Sequence, residues 1–145
     1  MPWTDESLEA HVRAWQDQTL PLEVWAPHES HVATTVWHVR RYPFDEALTR
    51  MRSGILAYNT SKGIADRYHE TVTTVYTHVI AAAVRRLDRD QGIAALAQAV
   101  IDEMGMSRES RLAMWRHYYA NPDSLWEKGS MARSRFIPPD LKPLP

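Results

Sequence analysis

Apolar residues along this chain recur at every third or fourth position rather than every second, with prolines and glycines between the recurring stretches. That periodicity predicts helices. Leu8, Val12 and Trp15 mark the first, which Thr4 caps and which runs to about Gln18, with Asp5 and Glu6 at its electropositive end. Pro21 interrupts it. Pro27, placed as a first-turn proline, opens a second helix that reaches Arg41 before Pro43 stops it. Phe44, Leu48, Met51, Ile55 and Tyr58 trace a third, which ends in the loop Thr60-Ser61-Lys62-Gly63.

A fourth helix is expected from about Asp66 to Leu87, striped by Tyr68, Val72, Val75, Val79, Ala83 and Leu87. Its β-branched residues make a strand over residues 72–79 the main alternative. Strict alternation fails there, because Thr73 and Thr74 are adjacent and three alanines follow, and the length favours a helix. An alanine-rich helix from Asp90 to Met104 closes at Gly105. Ser107 caps a sixth, with Leu112 and Trp115 on its inner side; a turn at Asn121-Pro122-Asp123 and a short helix follow. The expected fold is all-α, a single bundle of about five to six helices over residues 1–135. An extended proline-rich tail over residues 136–145 follows, whose Phe136, Ile137 and Leu141 suit packing on the domain or on a partner.

The chain has 145 residues, 44% of them hydrophobic, which suits one domain with a genuine core. Having no cysteine, it excludes disulfides, thiolate metal sites and a cysteine nucleophile. A formal charge of −1 gives no reason to expect nucleic acid or an anionic membrane. The longest apolar run, residues 79–84, falls far short of the roughly 20 residues of a membrane span. With no signal-like N-terminus either, a cytoplasmic location is expected.

Helical geometry sets His28 and His31 on adjacent turns of the inward face of the second helix, among Val32, Thr35 and Val39. His69 falls inward on the fourth helix, with Asp66 one turn before it to orient its ring or share an ion. Asn59 lies at the inner edge of the loop leading to His69, whereas Glu70 points away from that face on a regular helix. Pockets between facing helices commonly hold metals. Here His28, His31 and His69 are the candidate ligands for Zn, Fe, Cu or Ni, with Glu70 or Asp66 as a fourth ligand or base and Asn59 as a donor to the substrate or to the ligands from behind. The bland alternative is a hydrogen-bonded histidine cluster in an ordinary core. His38 is read as a neighbour behind the site, and His11, His78 and His117 as surface or cap residues. No zincin, ferritin-like, phosphate-loop, dinucleotide or nucleophile-elbow motif is present.

The segments WAPHESHV at residues 25–32, RRYP at 40–43, YN at 58–59, YHETVT at 68–73 and FIPPDL at 136–141 resemble a family of small, uncharacterised bacterial proteins. The resemblance spans about residues 25–141 and implies a shared all-helical domain, with attention on His28, His31, Asn59, His69 and Glu70. It lends no reaction. Arg67 stands where that pattern leads one to expect glycine.

Trp37 lies opposite the core face of its helix, which predicts either packing against the last helices or a homodimer contact. The pairs Arg40-Arg41 and Arg85-Arg86 read as solvated helix ends, while Arg133 and Arg135 suit an anionic substrate. Three functions follow. The first is a metal-dependent enzyme acting on a small-molecule substrate through the three histidines. The second is a non-catalytic helical module that binds a ligand or a protein. The third is a metal-free acid–base enzyme using a histidine oriented by a carboxylate.

Overall fold

The computed structural model describes residues 3–119, which form seven α-helices, one 3-10 turn and no strand. Helix α1 (Asp5–Gln16) starts where Thr4 accepts the Ser7 N–H, and Ser7 returns the bond in a capping box. Gln18 adopts a left-handed φ of 62°, which ends α1 before the expected position. Past Pro21 the chain makes one short helix that the pattern did not suggest, α2 (Leu22–Trp25). Pro27 then sits just outside α3 (His28–Arg41), and Pro43 holds the same place before α4 (Phe44–Ser61).

The fourth predicted helix differs at its start. Residues Ala65–Arg67 form the 3-10 turn, Tyr68 and His69 are extended, and the regular helix α5 (Glu70–Leu87) begins only after them. The strand alternative over residues 72–79 is thereby excluded, since all of them lie in α5. Helix α6 (Ile93–Met104) ends at Gly105, whose φ of 72° is the left-handed turn that glycine allows. Its N-terminus is held from a distance, because Asp5 Oδ1 accepts the Ala94 N–H at 2.9 Å. Ser107 caps α7 (Arg108–Tyr118) through the Ser110 N–H, as expected.

Helix α3 is the axis of the bundle and packs against α1, α2, α4, α5 and α6. Residues 32–38 are all buried, two consecutive turns with no solvent face. The main core joins Leu8 and Val12 to Val32, Val36, Ile80, Leu96 and Val100. Trp15, Trp25, Met51 and Tyr58 fill a second cluster under α2, and Val75 and Val79 meet Met114 and Trp115 in a third.

Trp37 is buried within the chain, donating to Glu9 Oε2 at 2.7 Å while the Arg41 guanidinium covers its ring at 4.4 Å. It therefore packs within the chain, in the core that α1, α3, α5 and α6 share, and gives no ground for a subunit contact. His11 is likewise interior, with its Nε2 2.7 Å from Ser30 Oγ, which corrects its reading as a surface residue. No helix among the described residues is long and apolar enough to cross a membrane. The turn at Asn121, the helix after it, the bundle boundary at 135 and the tail of residues 136–145 lie outside the described residues, as do Arg133 and Arg135.

Candidate functional site

A cavity of about 630 Å³ opens between α2, α3, α4, the 3-10 turn, α5 and α7, and its wall contains His28, His31, His69 and Asn59. These four residues come from three separate segments, α3, the end of α4 and the start of α5. His28 and His31 occupy the first turn of α3, which the Pro27 break aims across at α5. The His28 ring lies 5.1 Å from that of Tyr76, and the His31 ring 4.3 Å from that of Trp25. Their own centroids are 6.3 Å apart and nearly perpendicular. Tyr76 in turn meets Trp115 edge-on at 5.1 Å, so Trp25, Tyr76 and Trp115 give the cavity an aromatic wall.

The Nε2 atoms of His28 and His31 are both buried, and neither has a hydrogen-bond partner. A buried polar atom left unpaired costs roughly 1–3 kcal/mol, so two in one wall are a strong pointer to something that binds there. Both rings are held neutral. Burial lowers the His28 pKa to about 4, helped by the nearby Arg111 charge. Burial also takes His31 to about 4, with His28 and His11 adding to the shift and a hydrogen bond to the Trp25 backbone opposing it. A neutral imidazole nitrogen without a proton is a good acceptor and a metal ligand.

His69 is placed differently from the expectation. It stands at the N-cap of α5, not on the helix, and its Nδ1 accepts the Val72 N–H at 3.2 Å. An accepting Nδ1 leaves the proton on Nε2, so in this tautomer that edge of the ring donates and is unsuited to ligating a metal. Asp66 is exposed in the 3-10 turn and does not line the cavity. Glu70 does not line it either. Its carboxylate is engaged by Arg52 at 2.6 Å, by the Tyr68 hydroxyl and by Thr74. Burial acts to raise its pKa, but the Arg52 and Tyr68 bonds outweigh that and keep it lowered.

No three His, Asp or Glu side chains among the described residues come close enough to enclose a metal ion. Among the described residues no carboxylate lines the cavity, so none of them stands beside a histidine there to orient it. His38 does not line this site; its Nδ1 donates to the Thr34 carbonyl at 2.8 Å, and its ring faces Trp15 and a separate cleft between α1, α3 and α4. His78 packs on Phe44, away from the cavity, and His117 is exposed.

Sequence reasoning missed Arg67, Arg108 and Arg111, three exposed residues that ring the mouth. The signal for two of them was present, since Arg108, Arg111, Leu112 and Trp115 recur at helical spacing on one side of α7. Asn59, in contrast, is where it was expected, buried at the end of α4 where its carbonyl accepts the Ile64 N–H at 2.9 Å. Among known proteins, no family model, no curated sequence and no solved structure matches this chain.

Proposed function

We propose that the cavity binds a small organic molecule without a metal, and that His28 and His31 meet it as neutral hydrogen-bond acceptors. The carrying observation is the pair of buried, unpaired Nε2 atoms in the wall of one cavity of about 630 Å³. That volume is in the range of pockets that take small ligands, and an aromatic wall with a few polar groups is the usual composition of such sites. With a pKa of about 4 each, the two imidazoles are unprotonated at neutral pH. They are therefore ready to accept a hydrogen bond, while holding no extra proton to give to a leaving group.

The reading has a two-sided test in His28→Leu. Removing an unpaired polar atom leaves the melting temperature unchanged or raises it. The same change abolishes the response of Trp25 and Trp115 fluorescence to a panel of small aromatic and aliphatic molecules. A large drop in melting temperature with the ligand response intact would instead make His28 a structural core residue.

The same two nitrogens favour a second reading, a metal-dependent enzyme. His28 and His31 would hold a Zn, Fe, Cu or Ni ion, and His69 could join them only by giving up the Val72 N–H. Elemental analysis of untagged protein decides between the two. Near-stoichiometric metal, with melting lowered by a chelator, supports the second reading, and less than about a tenth of an equivalent supports the first.

A further inference from the structure

The charge at the mouth is uneven in a way the chain as a whole is not. Asp and Glu slightly outnumber Lys and Arg, 18 to 17, yet Arg67, Arg108 and Arg111 all line the cavity and, among the described residues, no carboxylate does. Elsewhere in the bundle five arginines are partnered, Arg13 by Glu9, Arg40 by Asp88, Arg50 by Glu46, Arg52 by Glu70 and Arg86 by Glu103. None of these ion pairs involves the three arginines of the mouth. They are contributed by the 3-10 turn on one side and by the first turns of α7 on the other. Arg111 lies close enough to His28 and to Tyr76 for its charge to act on both rings. Behind the cationic mouth the wall turns apolar, with Met51, Val72, Ile80 and Trp115.

We infer that the ligand of this cavity is a small organic acid, its anionic group held at the mouth by Arg111 with Arg108 or Arg67, and its apolar body seated against Trp25, Tyr76 and Trp115. This rests on the reading that the cavity takes a small molecule, and adds its charge and its orientation. A cation is disfavoured at such a mouth, because three like charges face it and no carboxylate of the described residues lines the cavity to offset them. A neutral ligand leaves the arginines unused. A fork of guanidinium donors at the rim of an apolar pocket is matched by a carboxylate or phosphate carried on a hydrocarbon body.

The test is a titration of the full chain, read by Trp fluorescence and by thermal shift. Phenylacetate, hexanoate and phenyl phosphate are compared with the neutral phenylacetamide and hexanamide and with the cationic phenethylamine. The acids are expected to bind about tenfold or more tighter than their amides, and to weaken as salt is raised from about 20 mM to about 0.5 M. Arg111→Gln should remove most of that advantage, weakening the acids far more than the amides. Preference for phenyl phosphate or for the carboxylates then assigns the anionic group. Amides that bind as well as acids, or an amine that binds best, overturn the inference and leave the cavity reading standing. If none of the six gives a saturable response, the inference falls, and the cavity reading is then judged separately by the His28→Leu melting test.

Discussion

At position 54 a single methyl group is too much. Gly54 lies inside α4, and a Cβ there would overlap the far edge of the buried Trp15 indole, a rigid ring. Gly54→Ala gains helix propensity but is expected to destabilise the fold by about 1–3 kcal/mol, measurable as a lower urea midpoint. A stability equal to or above that of the parent would show that the ring can shift. Such close approaches are illegible in a sequence, because nothing in it says which ring will meet which backbone. His11 is a different case: it falls at helical spacing with Leu8, Val12 and Trp15, so its interior position was available from the pattern. It was missed because an imidazole was counted as polar, and the partner that satisfies it, Ser30, lies on another helix. The inward placement of His28 and His31, in contrast, followed from angle alone, since both sit on one regular helix.

Elements were legible where a cap or a proline punctuates them, and less so where the chain changes conformation without either. Helix α5 starts at Glu70 because Tyr68 and His69 are extended, with ψ of 136° and 107°, and because the His69 ring closes the first turn by accepting from Val72. Histidine is an uncommon cap, so a reading that looks for Ser, Thr, Asp or Asn passes over it. His69→Ala is expected to cost about 1 kcal/mol of stability, and His69→Asn, whose amide oxygen can take the same N–H, to restore most of it. Equal losses in the two variants would mean that the cap bond contributes nothing. Glu70, proposed from sequence as a base or ligand, instead ties α5 to α4 through Arg52, with Thr74 and Tyr68 on the same carboxylate. Glu70→Gln should lower stability by about 1 kcal/mol, limited by the partial exposure of Arg52, and leave ligand binding in the cavity unaltered. A lost ligand response in that variant would return Glu70 to the site.

At the scale of the whole molecule the buried histidines set how the fold responds to acid. Burial holds His28, His31 and His38 at about 4, and it lowers His11 and His78 as well. In the unfolded chain each titrates near about 6.5. Above that value both states are neutral at these rings and stability is flat. As the pH falls from about 6.5 toward 4, the unfolded chain takes up protons that the folded one refuses, so stability drops by up to about 1.4 kcal/mol per pH unit for each histidine. Urea midpoints are therefore expected to be lower at about pH 5 than at about pH 7.5, and His31→Leu to flatten the difference. The all-helical architecture was readable at this scale from periodicity, yet the central place of α3 was not. The angle that set His28 and His31 inward at its first turn gave no hint that residues 32–38 are covered on the opposite side too, because burial on every side has no phase. One consequence concerns deuterium. The amides of residues 32–38 are sheathed by five neighbouring helices, so they should exchange last, and only when the entire bundle comes apart. His28 and His31 are anchored to the front of that slowest-exchanging segment, so whatever docks beside them should slow exchange throughout the protein rather than along one rim.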